Sequence, residues 1–355
     1  MKINFLCGGL VKSGGMRIIF EYANRLQNAG HDVVCYVPLK PLNYGVENRV
    51  LTLKRYFWSI KDYMQKAHYS DEFYRRIFEL KIVPSLTNFY IRKAEVSIAT
   101  QWPTAYLLNE LVPSRGSKLY FVQGYEVWKS DVKKVDASYK LQMKIITNSS
   151  YLKSLLFEKF AVESDVVLNG IDFKRFNHLR KSLNRNLTIS FISHTLSQKG
   201  STEAIQILNS IKNKYPDTNI MSFGLESRND LPKSYIFQLN PNEEQIMDIY
   251  NQSDIFLFTS RQEGFGLPPA EAMACKTAVV TTNVGAVPEF STHNYSALHF
   301  NPLDVKTAIS YVSGLIDNPA ERDRISHNAY TEVRKKLNWD ESVKKFVAII
   351  EGIQK

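Results

Sequence analysis

Two glutamates eight positions apart, Glu263 and Glu271, frame the stretch EGFGLPPAE, whose residue types point most directly to chemistry. An ionised carboxylate only accepts hydrogen bonds, and it can take them from two adjacent hydroxyls, as on a ribose. Gly264 and Gly266 leave main-chain amides bare for the hydroxyls of a sugar, while Pro268 and Pro269 mark the first turn of a helix. Glu271 reads as part of that first turn, where the helix dipole favours its ionised form. Glu263 reads as a loop residue facing the same crevice. Paired acids also serve glycoside hydrolysis, but that chemistry needs neither a glycine turn between them nor a lysine placed for phosphate.

Such a lysine is present. In SHTLSQKGSTEAI, Lys199 precedes Gly200 and Ser201 at an expected helix start, so a mobile point charge stands beside oriented amides, an arrangement suited to a diphosphate. A surface lysine is the plain alternative, and His194 on the same loop reads either as an anion contact or as a polar loop residue. A third loop, GGLVKSGGMRIIF, places Gly14 and Gly15 at another helix start, where amides can approach a phosphate. It matches neither a dinucleotide fingerprint nor a P-loop, and an ordinary strand-to-helix turn has the same signature. No D-x-D triplet occurs, which points to a site that works without a metal.

The elements that must hold these loops alternate between short apolar strands and helices. INFLC, VVCYV, VSIA, KLYFV, KIIT and DVVL read as strands. After VVLNGIDFKRF the pattern restarts with LTISFIS, NIMSF, YIFQL, DIFLF, AVVTT and SALHF. Helices are expected over Gly15–Ala29, Ser201–Lys214, Glu243–Asn251 and Trp339–Ile353. This alternation predicts parallel sheets covered on both faces. The restart near Asn169 predicts two Rossmann-like domains, residues 1–170 and 171–336, with a terminal helix in 337–355 expected to pack back on the first. Each candidate loop follows a strand, where open parallel sheets bind their ligands.

Composition sets the bounds. The 355 residues suffice for two domains, and 44% hydrophobic with 23% charged residues is ordinary for a globular protein. The N-terminus lacks the apolar region and cleavage site of a secretory leader, and no apolar run is long enough to span a bilayer. Cys7, Cys35 and Cys275 have neither disulfide nor metal spacing and read as buried thiols in a reducing cytosol. The net charge of +10 suits an anionic membrane face or phosphorylated small molecules; nucleic acid would rest on charge alone and is not expected. Between Lys54 and Lys93, nine basic residues face four acids, with Tyr56, Phe57, Trp58, Tyr63, Tyr69, Phe73, Tyr74 and Phe78 interleaved. That mixture suits contact with an anionic membrane; solvated helices with inward aromatics are the alternative.

With these residues in place, EGFGLPPAEAMA resembles the E-x7-E motif of the retaining glycosyltransferases of family four, which have the GT-B fold. The likeness extends through SGGMRIIFEYANRLQNAGHDV, VVLNGIDFKRF, NEEQIMDIYNQSDIFLFTSRQEGFGLPPAEAMA and TTNVGAVPEF. KLYFVQGYEVW is similar to a variant in bacterial rhamnosyl- and related transferases of polysaccharide assembly. The resemblance implies an α/β protein of two Rossmann-like domains facing each other across a cleft. It implies transfer of a sugar from a nucleoside-diphosphate sugar to a hydroxyl of a saccharide or lipid-linked acceptor, with no cofactor, in the cytoplasm at the inner face of the plasma membrane. Glu271 would hold the ribose, and Glu263 the donor sugar and its phosphate, beside the amides of Gly264, Phe265, Gly266 and Leu267. Lys199 would neutralise the diphosphate with help from the Gly14 and Gly15 amides, and the loop at Leu239 and Asn240 would meet the base. His194 stands where members commonly have arginine, a role Arg261, Arg17 or Lys12 would then take over. Lys276 stands where they have glycine, and Gln123 where many have histidine. Tyr125 and Glu126 are the expected acceptor contacts, with a buried structural pair as the alternative. A catalytically weak subunit that binds a partner and a nucleotide-sugar epimerase are the rival readings of the whole.

Overall fold

The computed structural model describes residues 1–10, 13–42, 76–127, 130–178, 186–226 and 228–353. The chain divides into two units, Met1–Leu168 with Asp340–Lys355, and Asn169–Trp339.

The first unit is built on seven strands: β1 (Lys2–Leu6), β2 (Asp32–Pro38), β3 (Glu79–Val83), β4 (Val96–Ala99), β5 (Ser117–Val122), β6 (Lys144–Thr147) and β7 (Asp165–Val166). They pair in parallel in the order β3-β2-β1-β4-β5-β6-β7. Helices cover both faces of such a sheet, so its central strands are buried and mostly apolar: Phe5, Val34, Ile98 and Leu119 are all fully buried, and the buried polar Asn4 and Ser97 of the two central strands bond to each other. The helix Gly14–Asn28 starts where the Ser13 hydroxyl accepts the Met16 amide, one residue earlier than expected. It turns Ile18, Ile19, Tyr22, Ala23 and Leu26 inward. The last helix, Trp339–Gly352, sets Phe346 into the same core, with ring centroids 4.6 Å from Tyr22 and 5.6 Å from Phe121.

The second unit has six parallel strands: β8 (Thr188–Ile192), β9 (Asn219–Gly224), β10 (Ile236–Leu239), β11 (Ile255–Phe258), β12 (Ala278–Thr282) and β13 (Leu298–Phe300), ordered β10-β9-β8-β11-β12-β13. One of its cores lies where Ala204, Ile207, Leu208 and Ile211 of the helix Ser201–Lys214 pack with Ile189, Phe191, Ile255 and Leu257 of the sheet.

All twelve strands expected from the sequence form. β3 is an addition, and its absence from the expectation has a cause. It is an edge strand paired only with β2, and of ELKIV only Val83 is buried, so no apolar run announces it. It also falls inside the basic and aromatic segment 54–93, of which 54–75 lies outside the described residues. In the described part, Phe78 packs into the core against Phe20, with centroids 5.0 Å apart, whereas Phe89 is 84% exposed.

The direction of strand addition reverses between β1 and β4 in the first sheet and between β8 and β11 in the second. Such switch points splay the loops at the carboxyl ends of the two strands and open a ligand crevice there.

Candidate active site

The switch point of the second unit sets the loop 193–200 after β8 beside the loop 259–266 after β11. Three polar links lace them. The Arg261 amide donates to the Gln198 carbonyl at 2.7 Å, and the Thr259 hydroxyl to the Gly200 carbonyl at 2.8 Å. Lys199 Nζ donates to Glu263 Oε1 at 2.7 Å. The approach depends on Gly200, which has φ +67° and lies so close to β11 that a Cβ would sit 1.9 Å from the Thr259 carbonyl oxygen. Only glycine fits there. Lys199, the last residue of a single 3-10 turn, is one-third exposed, and the Glu263 side chain is 13% exposed. Lys199 and Glu263, expected at the diphosphate and the donor sugar, therefore form one ion pair at the crevice. An incoming diphosphate can replace the carboxylate on the ammonium and release Glu263 to sugar hydroxyls.

Beyond Glu263 the chain passes through Gly264, Phe265 and Gly266 into the helix Leu267–Ala274. The Phe265 ring is buried, 5.5 Å from Phe290, and its carbonyl accepts the Ala286 amide at 3.0 Å. With that side chain turned inward, the loop presents its backbone. Among the described residues, the amides of Gly264, Phe265, Gly266 and Leu267 donate to no protein acceptor. Pro268 and Pro269 have no N–H at all, so the donors of this helix start are gathered in the loop ahead of it. A row of unpaired amides of this kind takes up anionic or hydroxyl oxygens.

Glu271 differs from its expected setting. The helix starts at Leu267, capped by Gly266 at φ +98°, with the two prolines at its second and third positions. Glu271 is thus the fifth helical residue and lies outside the first turn, where the dipole acts most strongly. The Tyr250 hydroxyl donates to its Oε2 at 3.2 Å, and the residue is only 3% exposed. Tyr250 comes from the helix Glu243–Gln252, with its ring edge-on to Phe223 and Phe256. Sequence reasoning missed it, for a tyrosine on the buried face of a helix signals packing rather than a site. The helix of Glu271 ends in a Schellman turn, with Thr277 N–H on Ala272 O and Lys276 N–H on Met273 O, both at 3.0 Å. Lys276 there has φ +58°. The glycine expected at this position has a conformational reason.

The amide of His194 donates to Ser201 Oγ at 2.8 Å, its carbonyl accepts Arg228 Nη1 at 2.6 Å, and its ring Nδ1 accepts the Leu196 amide at 2.9 Å. Arg228 also forks onto Asp230 at 2.8 and 2.5 Å. Arg261 pairs with Glu203, Arg17 belongs to the first unit's helix Gly14–Asn28, and Lys12 lies outside the described residues. Asn240, just past β10, is exposed, has φ +49° and donates its amide to the Gly224 carbonyl at 2.7 Å.

In the first unit, Gly14 and Gly15 open their helix as expected, and the Gln123 side chain lies against Gly15. At this unit's own switch point the Gly8 amide donates to Gln101 Oε1 at 3.1 Å, and the Trp102 amide donates to Glu126 Oε2 at 2.9 Å. Burial pushes the Glu126 carboxyl up to about 7, against the pull of the Trp102 amide. The Tyr125 ring belongs to the core, and its hydroxyl donates to Asp136 at 2.8 Å; burial, then this bond, push it up to about 12.

Residues 174–332 match the family model described as Glycosyl transferases group 1. The chain is 27% identical over 254 residues to the capsular polysaccharide biosynthesis glycosyltransferase CapM of Staphylococcus aureus, covering 64% of this chain and 67% of that one. It is 23% identical over 209 residues to the glycogen synthase of Mycobacterium tuberculosis, covering 55% of this chain and only half of that relative. Among solved structures, sucrose-phosphate synthase from Thermosynechococcus elongatus matches with a TM-score of 0.74 at 15% identity, over 99% of this chain and 98% of that one. Anabaena HepE in complex with UDP-glucose matches with a TM-score of 0.74 at 14% identity, over 99% of this chain and 100% of that one. At such identities the likeness shows the fold, which is GT-B. The matched segment 174–332, which carries Lys199, Glu263 and Glu271, is thus similar to the glycosyl transferases group 1 family.

Proposed function

We propose that this protein is a retaining glycosyltransferase that moves a sugar from a nucleoside-diphosphate sugar to a hydroxyl of a saccharide or lipid-linked acceptor in bacterial surface-polysaccharide assembly. The observation that carries the reading is the Lys199–Glu263 pair at the switch point, flanked by the amides of residues 264–267. In the reaction the bond from the anomeric carbon to the diphosphate oxygen breaks, and its electron pair leaves with the diphosphate. The acceptor oxygen bonds to that carbon on the same face, and its proton passes to the departing phosphate. Lys199 meets the charge that grows on the diphosphate, where preorganised electrostatics contribute most. Glu263 and the loop amides hold the sugar, Glu271 the ribose, and the turn at Asn240 lies near the base. Tyr125 and Glu126 are the acceptor contacts of this reading.

CapM's role in capsular polysaccharide supports the pathway, and UDP-glucose in HepE supports trying uridine donors first. Among the described residues no helix is long and apolar enough to cross a membrane. A lipid-linked acceptor would be met at the membrane surface, through the segment 54–93. A thermal-shift screen of UDP-, GDP- and dTDP-sugars tests the reading, since a ligand of the native state raises the melting point. One nucleotide class should stabilise the protein. If none does at millimolar concentration, the reading fails.

A further inference from the structure

The helices Val132–Ser138 and Ser150–Phe160 follow β5 and β6 in the first unit. Their outward faces carry more positive charge than their surroundings neutralise. Asp131 caps the first helix through the amides of Lys133 and Lys134 and lies 4.0 Å from Lys134 Nζ. Asp136 accepts the Tyr125 hydroxyl, and Lys144 pairs with Asp165. Lys133, Lys140, Lys153 and Lys159 remain, all exposed, and among the described residues none of the four is paired with a carboxylate. Glu158 is the one acid of 130–160 left to oppose them.

Apolar side chains are interleaved with these lysines. Phe157 is 53% exposed, Val132 46% and Tyr151 39%. On the second helix Lys153 and Phe157 are four positions apart and share one flank, while Tyr151 and Lys159 lie about two turns apart on the other. Two of the ammonium groups rest on rings: Lys159 Nζ is 4.6 Å from the centre of Tyr125, and Lys140 Nζ is 5.8 Å from that of Phe160. Tyr125, Tyr139 and Phe160 form one platform beneath them, with centroids 6.2, 6.4 and 5.7 Å apart. The lysine stems thus cover aromatic surface while the charges stay in water. A single exposed ring is ordinary. Rings and aliphatic groups set among unpaired ammonium groups are the composition that settles at the headgroup level of an anionic bilayer. A soluble polyanion would engage the lysines but has no use for Phe157 and Val132, which carry no polar group.

We propose that this face docks on anionic lipid, as a surface separate from the segment 54–93. Docking itself does not depend on the nucleotide-sugar reading. Within that reading, Tyr125, an acceptor contact lying under Lys159, is set just below the headgroups, where a lipid-linked acceptor is met.

Cosedimentation of the full chain with vesicles tests the inference. Wild type should bind vesicles of equal parts phosphatidylcholine and phosphatidylglycerol, lose them as salt rises, and bind pure phosphatidylcholine far more weakly. Lys140→Gln with Lys159→Gln should weaken partitioning roughly tenfold or more. Lys133→Gln with Lys153→Gln should do the same, and this pair disturbs no ring contact, so it serves if the first variant fails to fold. Phe157→Ser should weaken partitioning about fivefold at every salt concentration. Circular dichroism melts check the fold of each variant. Wild type that binds no anionic vesicle overturns the inference, as does binding that the folded lysine variants retain, since the contact then lies elsewhere. Loss in the lysine variants with Phe157→Ser unchanged also overturns it, because a face that reads charge alone takes a soluble polyanion. Vesicle binding by a protein that binds no nucleotide sugar overturns the parent reading and leaves this one standing.

Discussion

Glu126→Gln isolates one carboxyl at the carboxyl end of the first unit's sheet. Glutamine keeps the volume and an oxygen for the Trp102 amide, which Glu126 now holds at 2.9 Å. What it removes is the charge. Burial raises the Glu126 carboxyl from 4.5 to about 7, so between those values the folded protein binds more protons than the unfolded chain. Stability then falls as pH rises through this window, because the folded state must give up a proton it holds more tightly. The contribution is complete below 4.5 and lost above about 7. At about 1.4 kcal/mol per pH unit, the displacement amounts to on the order of 3 kcal/mol. Water that reaches this half-buried residue reduces it to about 2 kcal/mol.

The variant should therefore match wild type at pH 4.5 and exceed it at pH 8. For a unit of this size, about 2 kcal/mol corresponds to roughly 4–8 °C in melting temperature. Circular dichroism melts of both proteins from pH 4.5 to 8.5 measure the gap. A gap that stays constant with pH, or a variant less stable at pH 8, refutes the account, since either means that the carboxyl is not desolvated. A gap that opens with a midpoint well below 6 would place the carboxyl in water.

Other substitutions probe the second unit. Lys199→Ala should lower turnover more than tenfold while changing donor affinity by less than about threefold, if the ammonium acts on charge that develops in the transition state; equal turnover refutes that role. Glu271→Gln keeps an acceptor for the Tyr250 hydroxyl but loses one of two carboxylate oxygens, so UDP-sugar titration should show donor binding weakened about tenfold with little change in melting temperature; unchanged titration removes Glu271 from the ribose. Lys276→Gly relieves a left-handed residue at φ +58° and should stabilise the second unit by about 1 kcal/mol in urea unfolding; a loss of stability would mean that the lysine side chain contributes more than the strain costs.

The pattern of success in reading this chain follows the range of the interactions. Strand ends, glycine loops and helix starts depend on neighbours in sequence, and so the loops of Lys199 and Glu263 were legible. That these two residues touch was not, because their contact follows from the parallel pairing of β8 with β11, which joins Ile189 to Ile255 across two intervening helices and the strands β9 and β10. The start of the Glu271 helix was misjudged by about one residue, enough to move Glu271 past the first turn, for a local reason: its cap is Gly266, which has no side chain to mark the boundary, and two prolines are compatible with several early positions. Tyr250 on Glu271 comes from another helix and Arg228 on His194 from the loop after β9, 21 and 34 positions away in sequence, so no spacing rule could have found them. β3 was hidden differently, since an edge strand buries little and its charges pay no penalty at the rim. The same distinction bears on His194. Its type was noted as a departure from arginine, which made a missing cation look like a weakness of the site. The bond from Leu196, only two residues away, makes the ring Nδ1 an acceptor within its own loop.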